Sequence, residues 1–587
     1  MKRTFTTLLL FSLLIPYNLV AAQEQQENLS VSESTDSQIS QTEDAGTVPP
    51  PSLPLLDDFL NQQSPADLSG SPDGESASSA GEEEPETDQQ TKDNAKDDSM
   101  TEEKSVNPAD EPATENPIPN PQSAPTDPWL NIAGLQELFS SDLFTGEARL
   151  NIPFNAPSGR NGLTPELSLN YSSFKNDLLS PYGYGFDFSN SSIFRTARHG
   201  VDQMYLRSDF AVKLGGKYNE LVLIDAGLGL YQGKLGNDGN KYFLEGSGAN
   251  AKWRVLDSAG IQYYFGEIDS SKQFDPNNPE HIFQWMLNKT VDQYGNQITY
   301  TYFTDHNQIY PDAIQYVFTD ETTSLYRVKF DYLQKSTSAT SYQTQFEIAT
   351  YYVLGSIKIQ RFIDNVWQTQ KEYSLAYDYL DQAISRLLSI TPKAGTLALP
   401  SLNFAYYSGG ASINLLQTIN NNKGGTINLE YLPSTQYIDP DTGKRSQLPF
   451  IIDTLHKVTR SDQIAQTSRT QTFNYYEGHY YVDYADVFTR EYAGFHKVFS
   501  TDSLGQITKT YFHQSEFALD NSESSKLGEY DDHISKKGRT YRQEVYDSAG
   551  RLFQSQITKW DKRDLPGEDR LTSPDYTKPP AKERLQD

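Results

Sequence analysis

Asp439-Pro-Asp441-Thr-Gly443 has the alternating carboxylates and the glycine of a calcium loop, in which hard oxygen ligands surround a divalent cation. The twelfth position, where such a loop needs a bidentate Glu, is Phe450, so a plain turn is expected. Ser336-Thr337-Ser338 and Gln514-Ser515-Glu516 are the residue types of an ADP-ribosyl-transfer site. They lie far apart, and Gln514 belongs to a different run, Tyr511-Phe-His-Gln514, so the pattern has no context. The chain has no His-Glu-x-x-His, no phosphate loop and no Gly-x-Ser-x-Gly. Its 8 His are scattered, and carboxylates are too numerous to single out a glycosidase pair. With no Cys there is no thiol nucleophile, disulfide, Cys-ligated zinc or iron–sulfur cluster. No catalytic residue, cofactor-binding residue or metal ligand emerges, and the expectation is a protein that is not an enzyme and needs no cofactor.

Charge and aromatic content narrow the partners. The 587 residues include 49 Lys+Arg against 78 Asp+Glu, a formal net charge of −29. The imbalance argues against a nucleic-acid partner, which would need a basic stripe over the phosphates, and none is expected. The 38 Tyr, 29 Phe and 5 Trp have two readings: cross-strand packing in extended sheets, or platforms on which a glycan stacks.

The residues must be held by something, and the pattern says strands. Ala148, Leu150, Ile152 and Phe154 alternate with polar or surface residues, as do Leu167-Ser-Leu169-Asn-Tyr171, Val328-Lys-Phe330-Asp-Tyr332 and Ile427-Asn-Leu429-Glu-Tyr431. A period of two puts one face on a core. Asp-x-x-Gly followed by a Thr- or Tyr-rich run occurs at Asp257–Gly260, Asp292–Gly295, Asp502–Gly505 and Asp547–Gly550. Asp accepts hydrogen bonds from the backbone ahead of it and Gly supplies positive φ, which closes a hairpin. Four copies point to a repeated hairpin unit at irregular spacing. Leu130, Ile132, Leu135, Leu138 and Phe139 predict one short helix within 130–144.

Ahead of the strands, Lys2, Arg3, the apolar run Leu8–Ile15 and Val20-Ala21-Ala22 compose a secretory signal peptide over 1–22. Residues 23–127 carry 25 Asp/Glu against Lys92, Lys96 and Lys104, with Phe59 as their one aromatic. Such a segment cannot bury enough apolar surface to offset chain entropy, and a disordered acidic Pro/Ser/Glu-rich linker is expected. No later segment reads as a membrane span, so stable membrane insertion is not expected.

Several of these residues resemble a known family. Thr145-Gly-Glu-Ala-Arg-Leu-Asn-Ile-Pro153, then Pro157-Ser-Gly159-Arg-Asn-Gly162-Leu-Thr-Pro165 leading to Tyr171, resembles the opening of the SpvB-type N-terminal domain, which also begins the B component of insecticidal Tc toxins. Ile193-Phe-Arg195 with Gly200 fits its continuation. Phe283-Gln-Trp285, Asp292-Gln-Tyr-Gly295-Asn and Tyr300-Thr-Tyr302 are similar to Rhs/YD-repeat strands. Gly424-Gly-Thr426 to Tyr431, and Arg490-Glu491-Tyr-Ala-Gly494-Phe495 with Tyr511-Phe-His-Gln514, resemble the Tc B middle region; Tyr546-Asp547-Ser-Ala-Gly550-Arg resembles one YD repeat. Pro181-Tyr-Gly183-Tyr-Gly185-Phe186 departs from the family in having Phe where Trp is usual, no propeller-type repeats are visible, and the chain ends near one YD repeat.

The resemblance implies an all-β, extended multi-sheet Rhs/YD-like scaffold preceded by a signal peptide and a disordered acidic linker. It divides into an SpvB-like N-terminal β domain over 128–410, a Tc-toxin-B-middle/Rhs-like module over 411–515, and a YD-repeat-like, partly disordered tail over 516–587. The family-motif residues, read as structural, are Pro153, Gly159, Gly162, Pro165, Tyr171, Gly183, Gly185, Asp292, Gly295, Arg490, Glu491, Gly494, Phe495, Asp547 and Gly550. Arg490, Glu491 and Phe495 are read as a charge pair beside a buried ring that locks a strand junction. The implied role is a secreted structural or carrier module of a virulence-associated, toxin-like assembly, at the cell surface, in the periplasm or outside the cell. Its partner would be a protein with further YD repeats or a toxin domain. The alternative is a surface glycan-binding or adhesin module.

Overall fold

The computed structural model describes Leu135 and residues 138–560 except 176, 235–238, 379–382, 483–487, 489 and 515–535, with the backbone of 562–564 and 583–585. The expected leader over 1–22 and the acidic stretch over 23–127 lie outside the described residues, as does most of the tail beyond 515. The described residues form strands joined by turns and short 3-10 segments, with no α-helix among them.

Four strands make a small antiparallel sheet in chain order: β1 (Phe139–Asp142), β2 (Glu147–Pro153), β3 (Ser168–Ser172) and β4 (Phe186–Phe188). The short helix expected within 130–144 is not what residues 139–142 adopt. Phe139 pairs with Leu150 and Asp142 with Glu147, so the segment is an edge strand. An apolar spacing of three and four suits a helix, but here ladder hydrogen bonds and burial of Leu135 and Phe139 against the second sheet decide.

The next strands close on themselves. β5 (Ser192–Arg195), β6 (Phe210–Leu214), β7 (Lys217–Asp225), β8 (Leu230–Gly233), β9 (Lys241–Glu245), β10 (Lys252–Leu256) and β11 (Gln262–Phe265) pair in sequence. After the short β12 (Lys272–Asp275) comes β13 (Asn278–Val291), which pairs with β11 through Leu287–Val291 and with β5 through Gln284–Met286. The result is a ring of eight strands. Its interior is filled by Ile193, Phe210, Tyr242, Trp253, Phe265 and Trp285, all buried. Arg195 closes one end: its guanidinium donates to the carbonyls of Ile282, Met204 and Arg207 and lies 4.8 Å from the Phe210 ring centre.

From the second half of β13 the chain runs on as an antiparallel meander, β14 (Gln297–Asp305) through β29 (Leu552–Ile557), in chain order except that β19 (Arg386–Ala394) pairs with both the two-residue β20 (Leu397–Ala398) and β21 (Leu402–Tyr406). The ladder crosses residue 410 without a break, Phe404 pairing with Ile419. The small sheet lies over one face of this meander. Phe154 meets Tyr373 edge-on at 4.8 Å, Phe188 meets Phe330 at 5.3 Å, and Phe186 meets Phe404 at 5.6 Å. Two sheets burying their facing rows is the sandwich solution for strands with one apolar face.

The four Asp-x-x-Gly turns share one hydrogen-bond set. In each, one carboxylate oxygen accepts the backbone N–H two and four residues ahead: Ala259 and Ile261 on Asp257, Tyr294 and Asn296 on Asp292, Leu504 and Gln506 on Asp502, Ala549 and Arg551 on Asp547. The glycines sit at φ between 77° and 82°. A fifth turn uses Asn421, whose side-chain oxygen accepts from Lys423 and Gly425; it is absent from the Asp pattern because Asn supplies the same acceptor. Asp502→Ala removes two backbone bonds at the hairpin between β26 (Arg490–Thr501) and β27 (Ile507–Phe512). It is expected to lower stability by about 1 kcal/mol, read from the urea unfolding midpoint, with Asp502→Asn costing less.

Candidate functional site: the junction of two sheets

The tip of the β1–β2 hairpin is anchored inside the meander. Asp142 shapes it by accepting the N–H of Phe144 and Thr145 on one carboxylate oxygen. Phe144 then presents its carbonyl to the N–H of Phe495 at 2.8 Å, and Gly146 its carbonyl to the N–H of Leu455 at 2.8 Å. The Tyr492 hydroxyl donates to the Thr145 carbonyl at 3.2 Å. Two strands of the meander, β24 (Asp453–Asp462) and β26, thereby hydrogen-bond a hairpin more than three hundred residues earlier in sequence.

Glycine is required at that contact. Gly494 has φ +68°, and a Cβ there would lie 2.4 Å from the Phe144 ring. Opposite it, the β25 (Thr467–Val482) to β26 ladder shifts register between Gly478 and Tyr480. Gln514 bridges the irregularity, its side-chain amide donating to the carbonyls of Glu477 at 2.7 Å and Gly494 at 2.9 Å. Phe495 is buried against Tyr475, and Phe144 meets Phe512 at 5.5 Å. Arg490 and Glu491, consecutive on one strand, point to opposite faces, and Glu491 forms its ion pair with Lys537 of a later strand connection, not the pair expected with Arg490.

Beside it lies a polar chain that runs from the core to the surface. Lys497 is 3.1 Å from Asp439, 3.4 Å from Asp441 and 3.2 Å from Glu477. His496 bonds Glu477 through Nδ1 and the Tyr541 hydroxyl through Nε2, the latter at 2.7 Å. Burial alone would raise the Asp439 carboxyl, but the Asp441 N–H, the Thr442 hydroxyl and the Lys497 ammonium hold it below its ordinary value. The His496 hydrogen bond, against burial, likewise lowers Glu477. The Asp439–Gly443 segment is thus a turn neutralised by the chain's own ammonium. Among the described residues no cluster of three or more His, Asp or Glu is arranged to hold a metal ion. His496, 6% exposed with both ring nitrogens engaged inside the core, is out of reach of a substrate. An open cleft of about 410 Å³ adjoins the junction, lined by Asp142, Phe144, Arg149, Thr510 and Gln543 among others.

Of the other motif residues, Tyr171, Gly183 and Gly185 support the contact between sheets from further along. Pro153 ends β2, opposite Ser168. In the loop after it, a Cβ on Gly159 would meet the Leu163 carbonyl oxygen at 1.7 Å, Gly162 has φ +80° with open space, and Pro165 is buried. Tyr171 accepts the Leu416 N–H of the meander at 2.9 Å. Gly185 (φ +78°) lies under that tyrosine ring at 2.5 Å from its Cβ position, and Gly183 (φ +99°) lies against Leu387 and Tyr377. Asp292 with Gly295, and Asp547 with Gly550, form turns remote from the junction, and Arg490 opens β26 opposite Val482. Ser336–Ser338 fall in the register shift of β16 (Ser324–Ser341) between Gln334 and Ala339, while the Gln514 amide is committed to backbone carbonyls; Ser515 and Glu516 lie outside the described residues. Phe144 and Lys497 escaped the sequence reading, the first hidden just ahead of the Thr145-Gly motif and the second without any local pattern.

The architecture is that of a β scaffold with a clasped sheet junction. The family model described as Salmonella virulence plasmid 65kDa B protein matches residues 143–225 and 240–360, and that described as Insecticide toxin TcdB middle/N-terminal region matches 380–520. The chain belongs to the SpvB-type / Tc toxin B component family of virulence-related proteins. Mono(ADP-ribosyl)transferase SpvB of Salmonella choleraesuis (strain SC-B67) and that of Salmonella enteritidis are each 25% identical over 182 residues, covering 27% of this chain and 30% of theirs. The crystal structure of TcdB2-TccC3 has a similar fold, with TM-score 0.62 and 13% identity over 76% of this chain and 42% of that one. The Photorhabdus luminescens Tc holotoxin pore gives TM-score 0.61 and 13% identity over 76% and 41%. The chain therefore spans about 30% of the length of these curated relatives. No helix among the described residues is long and apolar enough to cross a membrane.

Proposed function

We propose that this chain is an exported, non-enzymatic structural or carrier module of a toxin-like assembly, its sheet continued by a partner chain. The observation that carries the reading is β29, whose six residues are all exposed and which pairs, among the described residues, with β28 (Thr540–Tyr546) alone. Phe553 is 80% exposed, and Leu552 and Ile557 are also open to solvent. A hydrophobic edge strand is a template for strand addition and is normally covered. The partner would be a protein bearing further YD repeats or a toxin domain, matching the reading of 516–587 as a YD-like tail. Export rests on the leader over 1–22, with 23–127 as a spacer holding the scaffold off the envelope. The named activity of the curated relatives is not part of this reading, because the match covers only 30% of their length.

The test is co-purification of the full chain with a YD-repeat partner encoded beside it. Retention by the wild type and at least tenfold weaker retention by Phe553→Lys, with an unchanged melting temperature, is the expected result. Equal retention of both proteins, or none of the wild type, overturns it. Exposed Tyr294 (69%) and Tyr342 (64%) favour the second reading, a glycan-binding module. Glycan binding abolished by Tyr294→Ala or Tyr342→Ala would select that reading instead.

A further inference from the structure

The small sheet stops short of the meander beneath it. Its strands advance across the meander in chain order: Phe188 on β4 packs on Phe330, Tyr171 on β3 takes the Leu416 N–H, and Phe144, just past β1, packs on Phe512 of β27. β28 and β29 lie beyond that margin. Thr510 and Gln543 face the small sheet across the open cleft, with Gln543 opposite Thr510 and Gln556 opposite Gln543. Both glutamines are exposed. One layer of the sandwich thus ends at β1, and the other ends two strands further on, at β29.

β1 presents an open edge at that step. The Asn151 N–H donates to the Leu138 carbonyl at 2.7 Å. Antiparallel ladders bond every second pair, so Ser140 and Asp142 turn their backbone groups toward β2, whereas Phe139 and Ser141 turn theirs outward. Among the described residues no strand other than β2 pairs with β1. The cleft of about 410 Å³ lies between this edge and the meander, lined by Ser140 and Ser141 from β1 and by Thr510, Thr540 and Gln543 from β27 and β28. Asp142 and Arg149 also line it, and at 2.7 Å they neutralise each other.

We propose that β1 takes a fifth strand from the same partner chain that continues β29, so that the partner lengthens both layers at once. This rests on the reading of β29 as a continued edge. A strand added to β29 alone would leave a single layer beside a double one, with the outward backbone groups of Ser141 facing the gap; a strand on β1 fills the gap and restores the two-layer packing. The lining sets the chemistry of the incoming segment. It is extended, to meet the outward N–H and C=O of β1. It bears hydroxyl or amide side chains toward Thr510, Gln543 and Gln556, which both donate and accept. It carries no charge on that side, because the paired Asp142 and Arg149 leave none to satisfy.

Two substitutions probe the β1 edge without touching β29. Ser141→Pro deletes an N–H that faces away from β2, where an edge strand tolerates proline. Gln543→Lys puts a charge on the exposed row. In co-purification of the full chain with the YD-repeat partner encoded beside it, each variant should retain the partner roughly tenfold less than the wild type at an unchanged melting temperature, the loss expected for one or two hydrogen bonds. Deuterium exchange read residue by residue should show the Ser141 amide about tenfold slower in the complex than in the free chain. Full retention by both variants, together with loss in Phe553→Lys, overturns the fifth strand and leaves the β29 reading standing. No retention by the wild type overturns both. A Ser141 amide equally fast in the complex, or already protected in the free chain because the chain itself covers this edge, also overturns the fifth strand.

Discussion

Gly494→Ala is expected to lower the unfolding free energy by about 2–5 kcal/mol. A left-handed backbone costs a side chain about 1–2 kcal/mol, and the added methyl would overlap the Phe144 ring, an overpacking term of about 1–3 kcal/mol. Gly295→Ala separates the two contributions: its φ of +82° is as demanding, but nothing lies within 4 Å of the Cβ position. It should cost about 1–2 kcal/mol. Truncating the ring removes the clash, so the double variant Gly494→Ala/Phe144→Ala should be more stable than the sum of its singles implies. Urea midpoints at constant m-value measure all four proteins. Equal losses for Gly494→Ala and Gly295→Ala would mean that the hairpin tip is not wedged against β26.

Lys497→Met is expected to cost about 3–5 kcal/mol at neutral pH, because Asp439 (side chain 1% exposed) loses the cation that neutralises it in the core. The pH dependence carries a sign. Asp439 and Glu477 are held below their ordinary values, so the stability they contribute is present above about pH 4 and is lost as pH falls through their folded values. Without Lys497, burial is opposed by fewer groups at Asp439, so protonation costs the variant less than the wild type. The gap between wild type and Lys497→Met should narrow steadily from pH 7 to pH 4 in denaturant titrations. A gap independent of pH would show that the lysine acts through its packing stem alone.

The strand faces were legible because alternation is local: Val328, Phe330, Ile427 and Leu429 are all buried in the sandwich core. The turns were legible for the same reason, since an Asp and a Gly three apart suffice to build one. Leu135, Leu138 and Phe139 misled because their spacing fits two periods, and the deciding partner, Leu150 on β2, is a tertiary choice. The ring was illegible. Ile193 pairing with Trp285 leaves no trace in either segment, because each reads simply as a strand. At the junction, Gly494 and Gln514 stood out by resemblance, but nothing in the sequence says that Phe144 is what the glycine makes room for. The Lys497 contacts draw on three separate segments, none bearing a motif.

β13 has two employments: one half shuts the ring against β5 and the other half founds the meander with β14. The amino-terminal margin of the long sheet is consequently spent on an internal seal, whereas β29 at the opposite margin is bare among the described residues. Accretion of strands would then be vectorial. If a partner lengthens the wall as proposed, the ring would serve as its cap, in the sense that repeat arrays use terminal units to stop stacking at one end, and growth would proceed away from it.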